Sequence, residues 1–155
     1  MEDVPQIHRL INYHAELDRM LFRTHGDLYE HLRDFFVYAE TVDGEERILG
    51  CAALELVWRD LAEIKSLAIE ETSRGKGIGS QLIQAILQEA RRLGLKKVFA
   101  LTREERFFSK MGFTTVKKET LPHKVWTDCV RCPLRDQCDE TPMIMETDAL
   151  EKATR

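Results

Sequence analysis

The run Arg74-Gly75-Lys76-Gly77-Ile78-Gly79 sets three glycines at alternate positions and interleaves Arg74 and Lys76 with them. Glycine lets a backbone approach a ligand closely and adopt positive φ. Ser80 to Leu93 follows with the pattern of an amphipathic helix, and the start of a helix offers unpaired N–H groups and a dipole that favours anions. Loop and helix start together make a candidate pyrophosphate cradle. The alternative is a flexible basic loop before an ordinary helix. A Walker loop is excluded, because no Gly-Lys-Ser/Thr stands at the required spacing. The glycine spacing also departs from the dinucleotide fingerprint Gly-x-Gly-x-x-Gly.

A second chemical signal precedes the loop. Leu61 to Ile69 reads as a strand, and alternation puts Glu63 on one face with Leu61, Lys65, Leu67 and Ile69. A carboxylate on a mostly apolar face needs partners, and burial raises its pKa toward the range of a general base. The other reading of Glu63 is a salt bridge to Lys65 or to a neighbouring strand. A third signal is Cys129-x-x-Cys132 followed by Pro133 and, later, Cys138. This resembles half of a zinc knuckle whose fourth ligand would have to come from His123, Asp139 or another chain. A redox-active pair or three reduced thiols are the alternatives. His14 lies on an apolar helical stripe, where a packed histidine is the expected role.

The chain that positions these groups has 155 residues, enough for one domain with a real core. Apolar residues at 43% and charged residues at 32% fit a globular protein rather than a disordered one. A formal charge of −4 argues against a nucleic-acid partner. No apolar run approaches a membrane span, and no cationic-then-apolar leader opens the chain. The expectation is therefore a cytoplasmic protein with no membrane partner, whose four cysteines are not a disulfide framework. One domain is expected over residues 1–146, with a polar tail at 147–155.

Periodicity predicts a first helix over Val4–Arg19, with Ile7, Leu10, Ile11, His14 and Leu17 on one face. A second follows over about Asp27–Arg33, with Thr24 and Asp27 as a loose capping box. Arg23 lies in the connection, where spacing alone makes it a solvated charge. Phe35–Thr41 and Arg47–Trp58 read as a hairpin closed at Asp43-Gly44, and Leu61–Ile69 completes an antiparallel meander. Cys51 is expected to be a small buried hydrophobe. In the long helix Leu82, Ile83, Ile86, Leu87, Ala90 and Leu93 form the core stripe, and Gly94 ends it. Lys97–Leu101 should run parallel to the Leu61–Ile69 strand across this right-handed crossover. A short helix, Glu104–Met111, a strand from Thr114 and a closing strand, Thr141–Glu146, complete the pattern.

The segment Leu67-Ala68-Ile69 through Gly79 resembles motif A of the GCN5-related N-acetyltransferases, and Phe107-Phe108-Ser109-Lys110-Met111-Gly112-Phe113 resembles that family's later Lys-x-Gly-Phe signature. The resemblance implies an α/β GNAT fold: a mixed central sheet with an antiparallel meander and a splayed parallel strand pair, flanked by helices. It implies acetyl-CoA as cosubstrate. Leu67, Ala68 and Ile69 would hold the pantetheine arm and polarise the acetyl carbonyl, while Arg74, Gly75, Lys76, Gly77, Ile78, Gly79 and Ser80 would hold the pyrophosphate. It assigns a base to an acidic residue on the strand, here Glu63. Many members place a proton-donating Tyr two residues before the Lys, but this chain has Phe108 there. Thr102 is the weaker substitute donor, or else only a cap for the following helix.

Nearly the whole chain, Leu10 to Met145, is similar to short stand-alone bacterial N-acetylglutamate synthases. That similarity implies L-glutamate as the amine substrate, in the first step of arginine biosynthesis. By the same resemblance Arg23 and Lys124 would bind the substrate carboxylates, a role for which cationic side chains are suited. Lys124 can equally be a surface lysine on an edge strand. A homodimer is an expectation from the family, and zinc remains open at the cysteine segment. A different amine substrate and a non-catalytic acyl-CoA-binding module are the competing readings.

Overall fold

The computed structural model describes residues 1–122 and 140–147. Helix α1 (Val4–Glu16) carries Pro5 in its first turn, where a missing N–H does no harm. It stops short of the expected Arg19, and Leu17, now past its end, is exposed. Helix α2 (His25–Glu30) is shorter than the pattern suggested and passes into a 3-10 turn at Leu32–Asp34. Thr24 caps α2 by accepting the Asp27 N–H at 3.1 Å, so the capping half of the expected box forms.

The strands are β1 (Phe35–Val42), β2 (Glu45–Trp58), β3 (Leu61–Ile69), β4 (Lys97–Thr102), β5 (Thr114–Thr115) and β6 (Thr141–Glu146). They lie in the order β1-β2-β3-β4-β6-β5 in a mixed sheet whose one parallel pair is β3 with β4. The expected α/β architecture, a meander followed by a parallel strand and flanked by helices, is therefore present. The β1–β2 hairpin pairs Val42 with Glu45 across Asp43 (φ 53°) and Gly44 (φ 83°), the two left-handed residues such a tight turn requires. Its register shifts between Tyr38 and Ala39.

Packing divides the chain into two units, and β2 and β3 contribute to both. The first comprises Met1–Glu55 and Ile64–Glu89. One of its clusters joins the α1 stripe Val4, Ile7, Leu10 and Ile11 to Leu28, Ile48, Cys51 and Ala68. Another joins Leu49, Ile78 and Leu82 with partly buried Phe36, Leu67 and Ile69. His14 is a packed histidine, as expected. Arg19 donates to its Nδ1 at 3.2 Å, and its Nε2 donates to the Ile69 carbonyl at 2.7 Å.

The second unit comprises Leu56–Glu63 and the described residues from Ala90 onward. Leu61, Phe99 and Leu121 form its cluster, with Val57, Leu101 and Ile144 packed against them. β4 and β6 pair antiparallel from Lys97↔Glu146 to Thr102↔Thr141.

Helix α3 (Ile78–Arg92) begins before the expected Ser80, so Gly79 belongs to its first turn rather than to the loop. Leu93 lies beyond Arg92 and is exposed, which removes it from the expected stripe; Leu82, Ile83, Ile86, Leu87 and Ala90 remain buried. Helix α4 (Glu105–Lys110) ends before Gly112, as the signature suggested.

Candidate active site

The loop before α3 has the shape its composition predicts. Gly75 and Gly77 adopt φ of 82° and 81°, and a Cβ built on either would meet nothing within 4 Å. The glycines are thus required by backbone conformation and not by crowding. Gln81 makes its helical bond to the Gly77 carbonyl at 3.1 Å, which leaves the N–H groups of Ile78, Gly79 and Ser80 as the first of the helix, without intrahelical acceptors.

The loop rests on a firm base. Ile78 is buried and packs with Leu82, Leu49, Leu67 and Ile69. The Glu70 N–H donates to the Leu49 carbonyl at 2.8 Å. Gly50 lies beneath, where a Cβ would come to 2.8 Å from Ile78 Cγ2 and 3.0 Å from Ile69 Cδ1. Arg74 and Lys76 are exposed beside the glycines. Glu71 pairs with Arg19 and lies 3.8 Å from Arg74, and these cations hold its carboxyl below the usual range.

Arg23 is not a solvated charge. Its side chain is 13% exposed. Nε donates to Asp27 Oδ2 at 2.5 Å, Nη1 donates to Ser66 Oγ at 3.0 Å, and the guanidinium carbon stands 5.1 Å from the Phe35 ring centroid. A guanidinium has five N–H donors, and these contacts use two. The rest take no partner among the described residues, so the fork is oriented yet retains capacity for an anion. In the sequence Asp27 stands out only as part of the capping box with Thr24, and Ser66 not at all. The i,i+4 spacing of Arg23 and Asp27 was a usable signal. Nothing marked Ser66, whose φ is +57° in the middle of β3.

That left-handed residue also limits the alternation argument for Glu63. Alternation holds only through extended residues, so faces cannot be counted across Ser66. β3 instead buries four consecutive residues, Leu61 to Ile64. Glu63 is 6% exposed among them, the low-dielectric setting in which a carboxylate needs compensation. Lys65, the partner considered for it, has Glu55 at 3.2 Å.

Thr102 is buried at the end of β4, and its Oγ1 accepts the Glu104 N–H at 2.8 Å, the capping arrangement. Phe108 is buried between the edges of Phe107 and Phe113, each ring centroid 5.1 Å away, and carries no proton to donate. Lys124, His123, Cys129, Cys132 and Cys138 lie outside the described residues. Among the described residues no group of three His, Cys, Asp or Glu side chains could hold a metal ion, and no helix is long and apolar enough to cross a membrane.

The chain as a whole has counterparts among known proteins. The model of the Acetyltransferase (GNAT) family matches residues 1–113. An uncharacterised N-acetyltransferase of Chlorobaculum tepidum is 40% identical over 147 residues, covering 93% of this chain and 90% of that protein. An amino-acid acetyltransferase of Mycobacterium tuberculosis is 36% identical, covering 83% of this chain and 73% of that one. Among solved structures, N-acetylglutamate synthase from Neisseria gonorrhoeae, complexed with coenzyme A and N-acetyl-glutamate, superposes with a TM-score of 0.83 at 27% identity. The match covers 95% of this chain and 33% of the synthase. The loop, its supporting strand and these likenesses lead to one conclusion: the chain belongs to the GNAT family of acetyltransferases.

Proposed function

We propose that this acetyltransferase moves the acetyl group of acetyl-CoA to the α-amine of an amino acid, with L-glutamate as the acceptor. The observation that carries the reading is Arg23. A guanidinium fixed by Asp27, Ser66 and Phe35, with N–H groups to spare, suits a carboxylate ligand and is a poor neighbour for a polyamine. The names of the amino-acid acetyltransferase relative and of the N-acetylglutamate synthase support the same class of substrate.

In this reading the positive-φ glycines and the first N–H groups of α3 receive the pyrophosphate of acetyl-CoA, with Arg74 and Lys76 adding positive charge. Acetyl-CoA supplies the activated thioester. Backbone N–H groups of Leu67–Ile69 polarise its carbonyl, an oxyanion-hole contribution. Arg23 orients the amino acid through a carboxylate, and Lys124 is assigned the second carboxylate. Glu63 takes a proton from the ammonium, directly or through water, so that the free amine can attack. With Phe108 unable to donate, the departing thiolate takes the proton that the attacking nitrogen must still lose, relayed through water or the Thr102 hydroxyl, so that CoA leaves as the thiol and the amide is neutral.

The test is CoA release with L-glutamate, L-glutamine, L-aspartate and spermidine as acceptors. L-glutamate should give the highest kcat/KM. Arg23→Ala should raise its KM by roughly 30-fold, corresponding to about 2 kcal/mol for a lost hydrogen bond to a charged group. Preference for spermidine would overturn the reading. Tight acetyl-CoA binding with no turnover on any amine would favour the non-catalytic alternative.

A further inference from the structure

Arg23 sits in a connection without regular secondary structure, between α1 and α2. A long cationic side chain on such a segment would ordinarily sample many rotamers, and a carboxylate would have to order it on binding. Here both its backbone and its side chain are held.

Asn12 of α1 clamps the backbone from both sides. The Arg23 N–H donates to Asn12 Oδ1 at 3.2 Å, and Asn12 Nδ2 donates to the Arg23 carbonyl at 3.2 Å. These two bonds settle which end of the amide is nitrogen. The third contact, Asn12 Nδ2 to His8 Nε2 at 2.7 Å, then requires Nε2 to be the acceptor. His8 is therefore neutral, with its proton on Nδ1, and its ring stacks on His25 at 3.7 Å.

Ser66 holds the side chain, and it does so from a conformation that disfavours serine. At φ +57° a glycine would be the unstrained choice in β3. Two contacts fix this residue. Its carbonyl lies 3.5 Å from the Cys51 Sγ, a thiol whose pKa burial pushes up to about 12, so that it stays a donor. Its hydroxyl accepts from Arg23 Nη1. The left-handed backbone gives Ser66 a side-chain direction that uninterrupted strand geometry would not, and the group it meets is the guanidinium.

We infer that Ser66, with Asn12 and Asp27, is a positioning residue that pre-orients Arg23 for a substrate carboxylate. Ser66 thereby helps set the enzyme's preference for acidic amino acids. The inference rests on Arg23 being the carboxylate clamp of the proposed function, and it adds residues that do not themselves touch substrate.

Ser66→Gly is the informative variant, because it keeps the left-handed backbone and removes only the hydroxymethyl group. Its KM for L-glutamate should rise roughly tenfold, with KM for acetyl-CoA unchanged and no loss of thermal stability. A merely structural role would instead move the acetyl-CoA KM or the melting temperature. The same substitution made in Arg23→Ala should have no further effect on the L-glutamate KM, since Ser66 acts through Arg23. If Arg23→Ala leaves that KM unchanged, the clamp itself is wrong and the proposed function falls with it. If Arg23→Ala raises the KM but Ser66→Gly does nothing, or adds its full effect on top, the clamp stands and the positioning role is refuted.

Discussion

Gly77→Ala isolates the backbone strain of the loop from every steric effect. The added methyl would meet nothing within 4 Å, so the change acts only through φ, which is +81°. Holding an L-residue in the left-handed region costs about 1–2 kcal/mol. The Gly77 carbonyl accepts the first bond of α3, so the loop cannot relax to negative φ without disturbing Gln81 and the buried Ile78 behind it. For a chain of 155 residues, about 1–2 kcal/mol corresponds to roughly 2–8 °C in Tm.

Gly26→Ala provides a matched control of opposite sign. Gly26 lies in α2, has no positive φ, and its nearest non-local atom from a built Cβ is Thr24 Oγ1 at 3.9 Å. Alanine there should stabilise by about 0.5 kcal/mol, near the lower end of the helix-propensity difference. Differential scanning calorimetry of the two variants, with acetyl-CoA KM measured alongside, reads both effects. Gly77→Ala should melt lower than the parent and raise acetyl-CoA KM severalfold, whereas Gly26→Ala should melt slightly higher and leave KM alone. A Gly77→Ala protein as stable as the parent, with unaltered KM, would refute the account of the loop as a pre-set anion cradle.

Two further outcomes follow from buried and paired groups. Glu63→Gln should bind acetyl-CoA as the parent does and lose turnover at neutral pH; an unchanged pH–rate profile would remove Glu63 from the chemistry. Desolvation, then His25 and Arg9, lower the pKa of His8 below its ordinary 6.5. Near and below pH 6.5 the folded chain therefore binds fewer protons at His8 than the unfolded chain, and stability is lost as pH falls through the lowered value. The urea midpoint should drop between pH 7.5 and pH 5.5 by less in His8→Gln than in the parent; an equal drop would show that His8 is not the group responsible.

Much of the frame is legible from local pattern. The bounds of β3, the Asp43-Gly44 hairpin, the apolar stripe of α3 and the turn at Gly112 each depend on residues close in sequence. The glycine loop is legible for the same reason, since its conformation and the helix start lie within a few residues. Arg23 is different. Spacing alone makes it a surface charge; of the groups that fix it, Asp27 is near in sequence, but Ser66 is distant along the chain and lies on another element. The φ of Ser66 has no sequence signature, because serine in a strand ordinarily reads as extended. That single residue also breaks the alternation used to place Glu63. The errors at Leu17 and Leu93 are of another kind, since both continue a periodic pattern past the point where the helix stops.

The seating of the loop on β2 has a dynamic consequence. The Glu70 amide is bonded to the Leu49 carbonyl, and Ile69, Ile78 and Leu82 crowd the bare Cα of Gly50. The segment leading into the cradle therefore shares its packing with the sheet beneath it. Releasing the Glu70 amide to solvent hydrogen exchange requires the Leu49–Ile78–Leu82 cluster to open as well, so its protection should follow a larger cooperative unit rather than the fraying of an exposed loop. The platform that carries the glycine loop therefore opens only with the cluster it belongs to.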